Sequence, residues 1–423
     1  MEKNIKIKVY PASNGEGILI ECNGKEQTNI LVDCGYISTY NLIKKDLINL
    51  KKNEKKIDLL VLTHIDNDHI NGARKLLSDY IKDEICEISE IWYNDYFSIY
   101  DIEDKKKELC KTEYNIFKLL ESDEYPPDPN ETGEKNISYK SANRLVAYLE
   151  KDKIKQRLNK SFENVVCIDE KNKFKKFQIS NEVEVILLGP TKEILKELLY
   201  DWRNYLIEKG FEEEIVKSKE LAEAFELYYV NQIEEIMEEI YSEKECSASD
   251  ELREYLEFNI PDKKLENRSS ISFILKFYDK HLLFLGDSSP KDYEEILENL
   301  LKNLNKEKLE FDLVKVSHHG SKYNTSNKLL EMITSKRYLI STNGNTFDHP
   351  DLETISKIIV NQKEKKKLYF NYELIKIEEF LRDYKLEDAK FTIIYENKSA
   401  FDENIQLIDI KEKEDELQDS GRD

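Results

Sequence analysis

No Cys-x-x-Cys pair occurs in this chain. Its six cysteines, Cys22, Cys34, Cys86, Cys110, Cys167 and Cys246, are scattered, which argues against a zinc ribbon or a disulfide framework. Free thiols suit a reducing compartment, so the expected location is the cytoplasm. The opening Met1-Glu-Lys-Asn-Ile-Lys6 lacks an apolar signal core, and no hydrophobic run approaches the length that spans a bilayer. No membrane association is expected. Basic excess is missing as well: 65 Lys and Arg face 86 Asp and Glu, a formal net charge of −21. Such a chain is not a general coat for nucleic acid, because phosphate binding is driven by Lys and Arg. A local groove is still compatible, and Lys315, Lys322 and Lys336 are the expected members of a short basic track. There is no tandem repeat of fixed period. Histidine is scarce, with six in 423 residues.

What histidine there is falls in three places. Five of the six lie at His64/His69, His318/His319 and His349, next to apolar runs that read as strands. Evenly spread core or surface histidines would not give that clustering. The first segment packs His64, Asp66, Asp68 and His69 into six residues after Ile57-Asp-Leu-Leu-Val-Leu62. The residues Ile70 to Tyr80 read as a helix, so the four donors are expected on a strand-to-helix turn, where α/β folds place chemistry. Imidazoles and carboxylates so close together call for a cation to gather them. The bland alternative is a His/Asp-rich polar loop.

His-x-Asp-x-Asp-His after a hydrophobic strand resembles the signature of the metallo-β-lactamase fold superfamily. The form with Asp66, followed by His-Ile-Asn-Gly, is similar to the hydrolase domain of late-competence DNA-uptake proteins. Three later segments carry the same resemblance. Leu282-Leu-Phe-Leu-Gly-Asp287 resembles the step whose aspartate bridges two metals. Lys315-Val-Ser-His318-His319-Gly-Ser321 is similar to the competence-type Lys-Val-Ser-His-His-Gly-Ser segment. Asn343-Gly-Asn-Thr-Phe-Asp-His349-Pro350 resembles the closing Asn…His-Pro loop.

The resemblance implies two divalent ions, zinc or manganese. Their ligands would be His64, Asp66, Asp68, His69, Asp287 and His318. One site would hold His64, Asp66 and Asp287; the other would hold Asp68, His69, Asp287 and His318. The family's further histidine between the first motif and the bridging aspartate has no counterpart other than His281, which the strand register places poorly. The first site therefore reads as oxygen-rich and short of a ligand, suited to a harder ion such as manganese. Asp68, His319 and His349 are the expected catalytic residues. His319 is read as touching substrate or backing up the ligand, and sequence leaves the order of the two histidines open. Asn267, Ser321 and Lys322 are the expected substrate contacts. Asp33, in an Asp-x-Gly step, is read as structural rather than as support for the site.

The implied fold is a four-layer αββα sandwich, with residues 1–95 and 265–400 forming the core. Residues 96–264 read as a mostly helical insertion carrying one core strand near 183–188, and 401–423 read as a charged tail. Residues 191–262 hold 21 acidic and 8 basic side chains, more than half of the chain's negative excess. Within them Leu221, Phe225, Tyr228, Tyr229, Ile233, Ile236, Met237 and Ile240 recur at helical spacing. That block is expected to cover the core with a solvated acidic face; a surface for a protein partner is the sharper alternative.

The implied reaction is metal-assisted hydrolysis by a metal-bridged hydroxide, acting on a phosphodiester in nucleic acid or a nucleotide. The alternatives are hydrolysis of a small lactone, thioester or cyclic nucleotide, and a metal-binding interaction module without activity.

Overall fold

In a computed structural model of the chain, the described residues are 3–102, 126, 128–129, 144–169, 174–211, 217–231, 248–361, 365–383, 391–395 and 406–411. Most of the proline loop expected at 124–133 lies outside them, as do 138–143 of the helix expected at 138–151, and Ile233, Ile236, Met237 and Ile240.

Two mixed sheets form the centre. The six-stranded sheet runs in the order Gln406–Lys411, Asn4–Val9, Ile18–Asn23, Gln27–Val32, Leu59–Val61, Ile91–Trp92. Its first four strands pair antiparallel and its last two pairings are parallel. The eight-stranded sheet runs Phe391–Ile394, Lys366–Phe370, Arg337–Ile340, Leu313–Lys315, Lys280–Phe284, Ser272–Phe277, Val183–Gly189, Lys175–Gln178. Here the first five strands are parallel and the rest antiparallel.

Side-chain alternation explains the layering. Ile18, Ile20, Ile30, Val32, Leu59 and Val61 join the core shared with the larger sheet. Their neighbours Leu19, Leu31, Leu60 and Leu62 point the other way, into a second core with the helices Ile37–Lys52 and Asn67–Ile81. A strand buried on both faces reads as a continuous apolar run, which is what Leu59 to Leu62 are. On the far side of the larger sheet, Tyr293, Ile296, Ile355, Ile358 and Ile377 bring helices onto the first core. The result is helix, sheet, sheet, helix.

Two expectations change. Residues 406–411, assigned to a charged tail, form an edge strand on Asn4–Val9 with Ile408 and Ile410 buried. The helical block also does more than cover. Leu195, Leu198, Trp202, Leu206, Phe225, Tyr229 and Val230 belong to the same core as Leu19, Leu60 and Ile70. Among the described residues, no helix is long and apolar enough to cross a membrane.

Candidate metal centre

The two sheets bring the ends of their parallel strands together. Asp33 follows Gln27–Val32, the segment Thr63–Asp66 follows Leu59–Val61, Asp287 follows Lys280–Phe284, and Ser317–Gly320 follows Leu313–Lys315. The helix carrying the first motif starts earlier than its apolar spacing suggests. It spans Asn67–Ile81 with Asp66 at its N-cap, so Asp68 and His69 lie in its first turn. Exposed backbone N–H groups there favour carboxylate charge.

Seven of the proposed residues converge. Asp287 Oδ2 lies 3.8 Å from His64 Nε2, 3.5 Å from His69 Nε2, 3.7 Å from His318 Nε2 and 3.8 Å from His319 Nε2. His64 Nε2 is 4.0 Å from Asp66 Oδ2. Asp68 reaches His69 Nε2 at 3.7 Å through Oδ1 and His319 Nε2 at 3.6 Å through Oδ2. Among the described residues, two sets of donors each have their ligand atoms within 4.8 Å of one another: His64, His69 and Asp287, and Asp68, His69 and His319. The structure thus puts His319 beside Asp68 and His69, the place that the resemblance gives to His318.

Each ring is held from behind. His69 Nδ1 donates to Asp33 Oδ2 at 2.7 Å, and Asp33 is itself fixed by the Thr63 backbone N–H and hydroxyl. The aspartate read as structural therefore braces a ring of the centre, the usual arrangement behind metal-binding histidines. His319 Nδ1 donates to the Ser341 carbonyl at 2.7 Å. A carbonyl only accepts, so the Nε2 of neutral His319 carries a lone pair. The same holds for His69 opposite its carboxylate. Yet these two Nε2 atoms face each other at 3.3 Å. Two lone pairs at that distance repel unless a proton or a metal cation lies between them.

The electrostatics also call for positive charge at this point. Burial works against charge on His69, but Asp287 and Asp33 outweigh it and hold its pKa well above the ordinary value. Burial would raise Asp287, yet His318, His69 and His319 outweigh it and hold the carboxyl well below the usual range. Burial, with Asp66 close by, pushes Asp68 well up, and burial pushes Asp66 up too. His64 Nε2, Asp66 Oδ1, Asp68 Oδ1 and Asp287 Oδ1 are buried without a hydrogen-bond partner. Buried polar atoms are nearly always paired. Orphaned nitrogen and carboxylate donors around one point fit divalent cations.

The remaining expected residues sit around this centre. His349 packs its ring 5.4 Å from that of His318, with Nδ1 3.5 Å from Asp351. Asn267 donates to Asp262 Oδ2 at 2.7 Å. Ser321 is buried, its N–H bonded to the His318 carbonyl. Lys322 gives its ammonium to Glu353 at 3.1 Å, above the rings of Phe258 and Tyr323. His281 lies at the start of Lys280–Phe284, the opposite end of that strand from Asp287. The basic track does not form: Lys315 is fully buried and pairs with Glu16.

One supporting element escaped the sequence reading. The turn between the first two strands inserts at the centre. Asn14 Nδ2 donates to Asp68 Oδ2 at 2.8 Å, and Tyr36 OH donates to Asn14 Oδ1 at 3.1 Å. Any side chain on Gly15 would place its Cβ 2.1 Å from the Asp68 carbonyl oxygen, so only glycine fits. The same turn reaches the other half through Asn343 N–H to the Ser13 carbonyl and Ser341 Oγ to the Gly15 carbonyl. Its Ser-Asn-Gly composition signals a turn but nothing about what the turn touches.

Residues 17–133 match the family model described as the metallo-beta-lactamase superfamily. No curated protein matches the chain. Among solved structures, CmlA, a diiron beta-hydroxylase from Streptomyces venezuelae, aligns at 10% identity and a TM-score of 0.32 over 97% of this chain and 54% of its own. A long form RNase Z from yeast aligns at 11% identity and a TM-score of 0.31 over 87% of this chain and 36% of its own. The chain thus spans about half or less of either protein, and neither likeness bears on its substrate.

Proposed function

We propose that this chain is a divalent-metal-dependent hydrolase of phosphodiester bonds, a nuclease or phosphodiesterase. The observation that carries the metal-dependent part is the 3.3 Å approach of His69 Nε2 and His319 Nε2, each with its other nitrogen already donating. Asp68, His69 and His319 would hold one ion. His64 and Asp66 would hold a second, with the Asp287 carboxylate between the two. Bound divalent ions supply Lewis acidity and a nucleophile from water near neutral pH.

The protein's own residues set the geometry. Asp33 and Ser341 fix the tautomers of His69 and His319, so both present a lone pair. Asn14 holds one Asp68 oxygen and leaves the other for coordination. Three carboxylates among the ligands suit harder ions such as manganese as well as zinc, and suit phosphoryl substrates. The competence-type segments at His64–His69 and His318–Ser321, with the Gly-Asp287 step between them, favour nucleic acid within that class. His349, whose ring lies beside that of His318, would meet a leaving-group oxygen.

A second reading has its own support. The net charge of −21 and the burial of Lys315 remove the expected basic track. Both favour a small substrate, such as a cyclic nucleotide or a lactone, over a long polyanion. The test is incubation with labelled single- and double-stranded DNA and RNA and with cyclic nucleotides, in manganese, magnesium or zinc. Cleavage abolished by chelator and by Asp287→Ala is expected, weakening as salt rises if the substrate is a polymer. Hydrolysis of lactones or thioesters with no phosphodiester cut would overturn the substrate class.

A further inference from the structure

Two adjacent histidines of one short turn reach the same carboxylate oxygen, which ordinary backbone would not allow. Successive side chains of a strand point to opposite faces. Here His318 and His319 both adopt left-handed backbone, with φ of 45° and 54°, and Gly320 follows at φ 90°. Non-glycine residues rarely do this even singly. The outcome is two Nε2 atoms 3.7 and 3.8 Å from Asp287 Oδ2.

The two rings keep different company. His319 lies against His69 and Asp68. His318 faces Asp287 and pairs with Asp262 instead of Asp68. His319 thus sits in the cluster of His69 and Asp68, and His318 meets Asp287 outside that cluster.

We propose that the pair is divided between two metal sites, His319 completing the one with Asp68 and His69, and His318 completing the one with His64, Asp66 and Asp287. This rests on the metal-dependent reading above. It supplies the ligand for which residues 70–286 offer only His281, at the wrong end of its strand, and it takes that ligand from a different place in the chain. A separation of 3.7 Å between His318 Nε2 and Asp287 Oδ2 is in the range that two ligands about 2.1 Å from one ion share.

A built support stands behind His318, as Asp33 stands behind His69. Its Nδ1 is 3.0 Å from Asn324 Oδ1 and 3.5 Å from Asp262 Oδ2. Asn324 spends its amide on Asp262 Oδ2 and on the Asp287 carbonyl, so its oxygen is left for the ring. Asp262 is held by Asn267 Nδ2 and by the Lys264 backbone N–H. All three supporting side chains are buried. Such a cage fixes the ring's direction, which a ligand requires. Asn267, expected to touch substrate, acts here through Asp262, and Asp262 is a positioning residue.

Elemental analysis, calorimetric manganese titration and manganese electron paramagnetic resonance of the full chain test this. Wild type is expected to take up two ions and to show the spectrum of a coupled pair. His318→Ala should retain one ion with a mononuclear spectrum. Asp262→Asn should weaken the second ion by about 10–100-fold and leave the first unchanged. It decides the question by itself if the His318 variant fails to fold. Full wild-type metal content and affinity in His318→Ala, or in Asp262→Asn where the His318 variant cannot be made, would overturn the division. A wild-type chain that binds no divalent ion would instead overturn the metal-dependent reading on which it rests.

Discussion

At the scale of single residues, the donors were readable and their supports were not. His64, Asp66, Asp68 and His69 stand within six residues, and the motif announces itself. Asp33 is 36 residues from the ring it braces, and Asn14 is 54 residues from the carboxylate it holds. Nothing local distinguishes such residues from a turn or a cap. The order of His318 and His319 was equally hidden, because it depends on two left-handed residues in succession. Asp33 offers a direct test. Asp33→Asn keeps the shape but removes the charge that fixes the His69 tautomer, so metal affinity should fall about 10–100-fold. Competition with a fluorescent chelator measures it. Unchanged affinity would mean that Asp33 serves the fold alone.

At the scale of elements, alternation and spacing located most strands and helices, and failures came where composition hid the pattern. Leu407, Ile408, Asp409 and Ile410 alternate cleanly, with Ile408 and Ile410 inward, but their charged flank reads as tail. Apolar spacing places the helix after the first motif late because its first turn is polar. Asn67, Asp68 and His69 are buried there for chemistry, which hydrophobic periodicity does not register. The helix Lys219–Asn231 supplies a pH prediction. Its buried Glu226 accepts the Leu145 and Val146 N–H groups at 2.8 and 2.9 Å. Burial outweighs those bonds and the nearby Arg74 and lifts its pKa from 4.5 to about 7. A raised carboxyl pKa leaves stability intact below about pH 4.5 and erodes it as pH climbs through 7, by at most about 3 kcal/mol. Glu226→Gln should therefore be less stable than wild type at pH 5, by about 1 kcal/mol for the lost acceptor. The gap should close or reverse by pH 8. Thermal melts across that range decide it, and a constant gap would show that Glu226 keeps its proton equilibrium on unfolding.

At the scale of the whole molecule, the two halves are joined beneath the centre by one buried ion pair. Lys315, on the strand leading to the paired histidines, meets Glu16 on the first turn of the other half, and both are out of water. Glu16→Ala leaves a buried ammonium unpaired and should cost about 3–5 kcal/mol, read by urea denaturation. A loss within 1 kcal/mol, the ordinary range for exposed pairs, would mean that water reaches the pair. The acidic helices are bound into the structure in a different way. Trp202 is fully buried, its ring against Tyr205, Phe225 and Tyr228, in the core that backs the smaller sheet. Apart from the buried Glu223 and Glu226, the charges described on them lie towards the outer face; their apolar stripe belongs to the fold. Trp202→Ala should then cost about 3–5 kcal/mol, and replacing residues 191–257 by a short linker should expose Leu19, Leu60 and Ile70 and yield insoluble protein. That replacement leaves Asp262 in place, so the support behind His318 is not what is being removed. A soluble, cooperatively folding deletion variant that binds its full metal complement would show that the helices are a separable cover, and would return the block to the role its composition suggests.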